Sequence, residues 1–375
     1  MGSVRAPPAE DAVRVSTLEL FFDLVFVFTI TQLTSVLAHD TGLRGLAQVV
    51  LMLGVIWWMY GGYVWLTNAV APDRAERRMV LLGGMAAFLV LALAVPHAFG
   101  EGGPAFGIAY LVVVGVHLAM FAKGTSARTL RAVVELGRYN LVTALLVLAG
   151  GLAGGTAQYV LWAVAVALEW VTPRLIGGAA GFDVAPGHFV ERHGLVILIA
   201  IGESIVAVGV GASARPLDLE LAVVAALGLA LSACLWWVYF GGDDERAETA
   251  LAAAPPQARS RLAIDAFGYW HLVLLLGVIA IAAAEKTVVA HPLDALDLAP
   301  AVALGGGVAV FLAGDALFRR SLAIGPGGLR AGAAVLALVT IPLALAVAVL
   351  QLVALVALLA ALFAVEAPRR QAVAA

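Results

Sequence analysis

Apolar runs of about twenty residues recur along the chain from Leu18 to Ala364, and short polar or glycine-rich segments separate them. A run of this length is enough to cross the hydrocarbon core of a membrane as a helix. Hydropathy windows of about nineteen residues predict twelve such helices. Their approximate bounds are 17–38, 45–68, 79–98, 104–122, 139–155, 157–176, 193–212, 218–240, 262–284, 299–318, 331–347 and 349–366.

The boundary between the last two predicted spans has the weakest signal. Residues 331–365 carry no charge, Pro342 interrupts them, and Gln351 is the best candidate for a turn. One long kinked span followed by an interfacial segment is the alternative. With either count, the pattern predicts an all-α polytopic membrane protein.

The basic residues predict the orientation of these spans. If the N-terminus is cytoplasmic, 19 of the 22 lysines and arginines fall in cytoplasmic segments, beginning with Arg5 and Arg14. Arg44, Arg215 and Lys286 fall on the other side. Because positive charge is retained in the cytoplasm, both termini are predicted to be cytoplasmic, which requires an even number of spans.

A short aromatic motif occurs twice in the chain. Trp57-Trp58-Met59-Tyr60 and Trp236-Trp237-Val238-Tyr239 begin 179 residues apart, and a pair of glycines follows each. Glu19 and Glu191 are similarly spaced, at 172 residues. Six spans separate the copies, which predicts two parallel six-helix repeats, residues 1–190 and 191–375.

Composition agrees with the membrane assignment and excludes several classes of protein. Hydrophobic residues make up 63% of the chain and charged residues 13%, too few to cover a soluble surface. A net charge of −3 gives no basic surface for nucleic acid. The single cysteine, Cys234, excludes an intrachain disulfide framework. No cofactor motif is present, so no cofactor is predicted. The predicted partners are membrane lipids and a small solute or ion, and a homo-oligomer is left open.

Ionisable groups within the apolar spans are the candidate functional residues, because each costs a few kcal/mol in hydrocarbon. Glu19 and Asp23 are four residues apart and share one face of the first helix. Glu203 lies near the middle of the seventh span and Glu169 within the sixth. Two carboxylates near the bilayer centre could bind a cation or carry a proton, and structural hydrogen bonding between helices is the alternative. Further polar residues fall in the inner halves of spans: His117, Asp265, His271 and Asp315.

Two histidines flank a carboxylate just before the seventh span. His188 and His193 lie on either side of Glu191, which raises the question of a metal site. The histidines lack helical spacing and the sequence offers no third ligand, so no metal site is predicted.

Two segments resemble the bacterial low temperature requirement protein A family. Residues 19–28, ELFFDLVFVF, resemble its opening signature, and residues 188–195, HFVERHGL, with residues 201–206, IGESIV, resemble its second. The resemblance extends from about Thr17 to the last helices. It implies a multi-pass protein of the bacterial inner membrane connected with growth in the cold, without a defined substrate. The positions to which it draws attention are Glu19, Phe22, Asp23, Glu191, His193, Gly202, Glu203 and Ser204.

A fainter similarity is to the lysosomal potassium channel family, which is also built from two six-helix repeats. Residues 21–26 fit the Phe-x-Asp-x-Val-Phe pattern that opens the pore-lining first helix in that family. The seventh helix departs from the pattern, because Leu195 occupies the position of a second aspartate. That departure argues against a symmetric pore.

These observations favour a secondary transporter or an ion pathway, with Asp23 and Glu203 facing a central cavity. A membrane-embedded enzyme acting on a lipid or isoprenoid is an alternative, with Glu19, Asp23 and His193 as acid and base groups. A membrane stress or assembly factor without a substrate is another. No catalytic residue is assigned, and the candidate binding residues are Glu19, Phe22, Asp23, Glu169, Glu191, His193, Glu203 and Ser204.

Overall fold

The computed structural model describes residues 15–69, 74–124, 127–176, 184–213 and 215–374, and all regular structure within these ranges is helical. Arg5 and Arg14, which contribute to the predicted orientation, lie outside them. The helices are α1 Thr17–His39, α2 Leu43–Ala69, α3 Ala75–Ala94, α4 Gly103–Gly124, α5 Ala127–Ala153, α6 Gly155–Ile176, α7 Pro186–Ala212, α8 Leu219–Phe240, α9 Asp243–Ala253, α10 Pro256–Ala263, α11 His271–Ala290, α12 Leu298–Ser321, α13 Gly328–Val339, α14 Ile341–Ala344 and α15 Ala348–Ala374.

Nine helical segments in the described part of the chain are long and apolar enough to cross a membrane, where the sequence predicted twelve. The nine are α1, α2, α3, α4, α7, α8 with α9, α10 with α11, α12 and α15. The other three predicted spans correspond to α5, α6 and the pair α13–α14. Glu169 and Arg174 add polarity to α6, while α13 has only 12 residues. A multi-pass membrane protein is thus supported, with a lower count of clear spans.

Helix α7 begins seven residues earlier than predicted, at Pro186 instead of residue 193. Proline suits the first turn of a helix, where its missing N–H costs no hydrogen bond. The prediction excluded the charged segment Glu191-Arg192 from the span on the assumption that charge marks a loop. In the structure Arg192 is 1% exposed, and its charge is neutralised by partners on α1.

The C-terminal apolar stretch forms separate helices. Helix α13 ends at Val339, α14 forms one turn around Pro342, and α15 begins at Ala348. The break therefore lies at residues 345–347, and the predicted turn at Gln351 is wrong. Gln351 lies inside α15, where its buried amide donates a 3.0 Å hydrogen bond to the carbonyl of Ala301 on α12.

Helix α11 is central to the packing, with α1, α2, α7, α8 and α12 around it. Its contact with α12 depends on two glycines that face each other. A Cβ added at Gly277 would lie 2.8 Å from the carbonyl oxygen of Gly307, and one at Gly307 would lie 2.9 Å from that of Gly277. Small residues let two helix backbones approach closely, as is common in membrane bundles.

The segment between predicted spans eight and nine is helical, although the sequence predicted a charged loop. Helix α9 packs against the start of α7, where a Cβ at Gly187 would lie 2.9 Å from Glu248 Oε1. Helix α10 continues into a seven-residue π-helical segment, Ile264–Trp270, before α11. Such wide turns are rare and are found most often at functional sites.

The two Trp-Trp-x-Tyr motifs share only part of their environment. Tyr60 and Tyr239 are both fully buried and both make a side-chain hydrogen bond, to Asp23 and to His271. The first tryptophans differ, because Trp57 is 4% exposed whereas Trp236 is 39% exposed. The tyrosine is therefore the part of the motif whose surroundings are most alike in the two copies.

Candidate functional site

Four ionisable side chains meet where α1 and α7 begin, and we refer to them as the α1–α7 ion cluster. They are Glu19, Asp23, His188 and Arg192, each no more than 3% exposed. The acids are the third and seventh residues of α1, and the basic residues are the third and seventh of α7. The two helices therefore bring opposite charges to the same depth, about 3–9 Å from their first residues.

Arg192 is the centre of this cluster. Its Nε donates a 2.9 Å hydrogen bond to Asp23 Oδ2, and its Nη2 donates one of 2.5 Å to Oδ1 of the same carboxylate. Its Nη1 donates to Glu19 Oε1 at 3.1 Å and to Thr67 Oγ1 on α2 at 2.9 Å. This two-pronged contact with Asp23 is the strongest arrangement that a guanidinium and a carboxylate form.

The remaining contacts define the protonation pattern of His188. Its Nε2 lies 3.0 Å from Glu19 Oε1, and its Nδ1 lies 3.3 Å from the amide nitrogen of Asn68. A carboxylate only accepts and an amide nitrogen only donates, so these contacts place the proton of the ring on Nε2 and the acceptor on Nδ1.

Ser16 and Tyr60 donate the remaining hydrogen bonds to the two carboxylates. The backbone N–H and the hydroxyl of Ser16 donate to Glu19 Oε2 at 2.9 and 2.8 Å. The backbone N–H of Glu19 donates to Ser16 Oγ at 3.3 Å, which completes a capping box at the start of α1. The hydroxyl of Tyr60 donates to Asp23 Oδ1 at 2.9 Å. Each carboxylate is thus held by side chains from more than one segment of the chain.

Glu203 lies on the same α1–α7 seam but at a different depth. Its Oε2 accepts a 2.7 Å hydrogen bond from the hydroxyl of Thr31 on α1, and the side chain is 7% exposed. It is eleven residues after Arg192 on α7, or about 16 Å along the helix axis. Asp23 and Glu203 therefore line one seam between the helices and do not share one pocket.

The other predicted site residues lie apart from the ion cluster. Phe22 is in the apolar core, stacked on Tyr63 with ring centroids 5.0 Å apart. Glu169, on α6, accepts a 2.6 Å hydrogen bond from the hydroxyl of Tyr110 on α4. Glu191 is exposed. The predicted residues that the structure brings together are thus Glu19 and Asp23.

Ser204 faces an acid that the sequence placed near a span end. Its hydroxyl and the carboxylate of Glu285 on α11 face each other, and both residues are fully buried. Within the described part of the chain, neither group has a partner of regular hydrogen-bond geometry. A buried carboxylate without partners is costly when ionised, so Glu285 is an unusual group for this interior.

His193 lines a cavity with aromatic walls, which we call the aromatic cavity. It encloses about 110 Å³ between α2, α4, α5, α6, α7 and the π-helical segment. The indole N–H of Trp57 donates a 2.6 Å hydrogen bond to the carbonyl of Gly268 in that segment. The residues on its walls include Trp57, Trp58, Trp65, Trp170, His117 and Phe267.

Sequence analysis missed Arg192, the central residue of the ion cluster, because it was counted among the cytoplasmic loop charges. The same error applies to Arg330, which is fully buried. Arg330 contacts Asp243 at 2.8 Å and Glu366 at 3.2 Å, and it also pairs with Asp315. One feature of the sequence could have identified both arginines as buried. Each lies within one or two helical turns of an apolar span, and acids without an obvious partner lie in such spans.

This second set of charges joins α9, α12, α13 and α15. Arg319 also takes part, with its Nε 3.3 Å from Asp243 Oδ2. It lies at the same end of the bundle as the α1–α7 ion cluster, because α9 packs against the start of α7. One end of the bundle therefore contains two buried networks of ion pairs.

The described ranges contain no group of three or more His, Cys, Asp or Glu side chains that could hold a metal ion. His188 and His193 point to different surroundings, the ion cluster and the aromatic cavity, and Glu191 is exposed. The His188–Glu191–His193 combination is thus not assembled into one site.

The chain matches the family described as bacterial low temperature requirement A protein (LtrA) over residues 14–367. It is also similar to an uncharacterized protein of Rhizobium meliloti (strain 1021), at 29% identity over 324 residues, which cover 83% of this chain and 78% of the relative. No solved structure matches the chain significantly. Since the family match covers nearly the whole chain, the protein belongs to the bacterial low temperature requirement A family.

Proposed function

We propose that the protein is a secondary transporter or an ion pathway of the bacterial cell membrane, and that the α1–α7 ion cluster controls movement at the seam between α1 and α7. The observation that carries the proposal is the burial of Glu19, Asp23, His188 and Arg192 at this seam. Protonation of an acid or binding of a small solute or ion would weaken these pairs and let the helices separate.

Stability alone is a weak reason for such a cluster. Replacing a buried ion pair with apolar residues of similar volume is often neutral or stabilising. Ionisable groups inside membrane helices are rare, and the default interpretation is an ion or substrate path, a proton relay or a ligand site. The proposed moving elements are therefore α1 and α7, and Glu203 with Thr31 forms a second contact on their path.

We also propose that the chain consists of two related six-helix halves, with α1 equivalent to α7. Thr31 and Glu203, which are 172 residues apart like Glu19 and Glu191, meet across the seam through a hydrogen bond. Helix α1 packs on α2 and α3, while α7 packs on α8 and α11. In this proposal the junction lies before α7, which begins at Pro186.

A membrane-embedded enzyme has less support. The aromatic cavity would suit an apolar substrate, but the candidate base His193 and the candidate acids Glu19 and Asp23 face different surroundings. His193 lines the cavity, whereas Glu19 and Asp23 are held by Arg192. A general acid or base must reach the atom whose proton it transfers, so this separation argues against Glu19, Asp23 and His193 acting together.

The test is a flux screen of the purified protein in proteoliposomes, covering cations, protons and small uncharged solutes. We expect Asp23→Asn and Glu203→Gln each to lower the flux at least about tenfold, since the neutral amides remove the charge on the proposed path. Glu101→Gln, in an exposed segment between α3 and α4, is the control and retains full flux. Unchanged flux in both buried-acid variants would contradict the proposal.

A further inference from the structure

One wall of the aromatic cavity carries a buried histidine that lacks a hydrogen bond of regular geometry. His117, on α4, is 6% exposed, and neither of its ring nitrogens has such a bond within the described ranges. Its Nε2 faces the backbone of Gly62, where an added Cβ would be 3.0 Å away. A buried imidazole of this kind is normally paired, so its position on a cavity wall points to a ligand.

His193 contributes a second polar group of known character. Its Nδ1 lies 2.8 Å from the carbonyl oxygen of Phe189, which can only accept a hydrogen bond. The proton of the neutral ring is therefore on Nδ1, and Nε2 is an acceptor. Together the two histidines offer one donor, from neutral His117, and two acceptors.

The charge of the surroundings limits the ligand. None of the described residues on the cavity wall is an aspartate, glutamate, lysine or arginine. The guanidinium of Arg174, which packs on the wall residue Tyr269, is already paired with Asp265 at 3.3 Å. A charged ligand, cationic or anionic, would therefore find no side chain of opposite charge on the wall, so both are disfavoured.

The size of the cavity limits the ligand further. Its volume of about 110 Å³ is somewhat smaller than the roughly 150 Å³ of an apolar protein cavity that binds benzene. Tryptophan and phenylalanine walls favour a flat ring through stacked and edge-on contacts. Trp58, Trp65 and Trp170 are only half-buried, which leaves the cavity open toward the protein surface.

We propose that the aromatic cavity binds an uncharged molecule through a single planar ring that carries a hydroxyl group, with a phenol as the simplest example. The hydroxyl donates to His193 Nε2 and accepts from His117, and the ring lies among the tryptophans. This inference deepens the proposed function by naming a substrate class. It is tested by binding alone, so its failure is distinguishable from a failure of transport.

The cavity adjoins the α1–α7 ion cluster. The ring of His193 lies 6.4 Å from that of Tyr60, whose hydroxyl donates to Asp23. His193 also follows Arg192 directly in α7. A ligand that moves the His193 ring is therefore two side chains away from the ion pairs that join α1 and α7.

The experiment uses four fluorinated probes that share one ring: 4-fluorophenol, fluorobenzene, 4-fluorobenzoate and 4-fluorophenyltrimethylammonium. Fluorine-19 NMR titrations with the purified full-length protein in detergent measure saturable binding above that in empty micelles. We expect 4-fluorophenol to bind most tightly and fluorobenzene about fivefold more weakly, for the loss of a hydrogen bond. The two charged probes are expected not to bind.

Two variants assign the binding to the cavity. Gly61 lines it, and an added Cβ there meets nothing within 4 Å, so the larger side chain of Gly61→Leu takes up space in the cavity without a clash at Cβ. We expect this variant to lose 4-fluorophenol binding by at least about tenfold. Gly83→Leu, an exposed position in α3 where an added Cβ also meets nothing, is the matched control with unchanged affinity. His117→Phe is expected to abolish the preference for 4-fluorophenol over fluorobenzene.

Each remaining outcome counts against the proposal. Absence of saturable binding by all four probes, or full binding in Gly61→Leu, would overturn the site. Tightest binding of the trimethylammonium probe would overturn the ligand class in favour of a cation held by aromatic faces. Equal affinity for 4-fluorophenol and fluorobenzene in the unmodified protein would overturn the role of the two histidines.

Discussion

At the scale of single residues, the meaning of a buried charge depends on its partner. Asp23 and Arg192 are each 1% exposed, and each would be untenable in hydrocarbon alone. Paired through two hydrogen bonds, they become compatible with the interior. Asp23 is therefore already occupied by a cation, its own arginine, and any transported species must compete with that residue.

The pairing predicts a compensating pair of substitutions. Arg192→Gln leaves Glu19 and Asp23 buried without their cation, which typically costs about 3–5 kcal/mol of stability. Arg192→Gln combined with Asp23→Asn removes one of the stranded charges. We therefore expect the double variant to unfold at a higher temperature than Arg192→Gln alone, as measured by thermal unfolding in detergent. Strictly additive losses in a double-mutant cycle would show that the two residues are not coupled.

At the scale of helices, close approach and irregular turns decide what the elements can do. The α11–α12 contact needs Gly277 and Gly307, because their backbones nearly touch. The π-helical segment Ile264–Trp270 widens the start of the α11 span and supplies the carbonyl of Gly268 to Trp57. The glycine contact holds α11 and α12 close together, and the π-helical segment shapes the wall of the aromatic cavity.

Two neighbouring glycines in α12 provide a matched test of this contact. Gly307→Ala places a Cβ 2.9 Å from backbone atoms of α11, so we expect a loss of about 1–3 kcal/mol from overpacking. Gly306→Ala has its nearest atom at 3.9 Å and gains helix propensity. Thermal unfolding should therefore show a lower midpoint for Gly307→Ala and an unchanged or higher one for Gly306→Ala. Equal midpoints would contradict the close-packed contact.

At the scale of the whole molecule, charge is concentrated toward one end of the bundle. The α1–α7 ion cluster and the ion pairs around Arg330 lie at that end, where α1 and α7 begin and α15 finishes. From the rule that positive charge stays in the cytoplasm, we propose that this end faces the cytoplasm. Arg192 and Arg330 were counted among the cytoplasmic charges although both are buried. Without them, most of the other lysines and arginines still fall on the same side of the predicted spans.

The orientation is tested with single cysteines in a Cys234→Ser background. Glu245→Cys lies at the end of the bundle with the ion cluster, and Arg44→Cys lies at the opposite end, both at exposed positions. A membrane-impermeant maleimide applied to intact cells should label Arg44→Cys at once and Glu245→Cys only after permeabilisation. The reverse pattern would place both termini outside the cytoplasm.

The amino-acid sequence by itself determined the membrane setting and most of the helices, because apolar runs of sufficient length have no other stable environment. It also singled out Glu19, Asp23 and Glu203, since isolated acids in apolar runs are conspicuous. The partner of an acid is a different matter. Asp23 and Arg192 are 169 residues apart, and no local pattern connects them.

Only the tertiary structure decided which charges neutralise one another and where the cavities lie. It brought α7 beside α1 at equal depth, which converted Arg192 from a loop charge into the centre of a buried cluster. It also placed His193 on a wall with His117, which is 76 residues earlier in the chain. The physical reason is that hydropathy records the environment of a residue, whereas pairing and cavity shape depend on how separate helices pack.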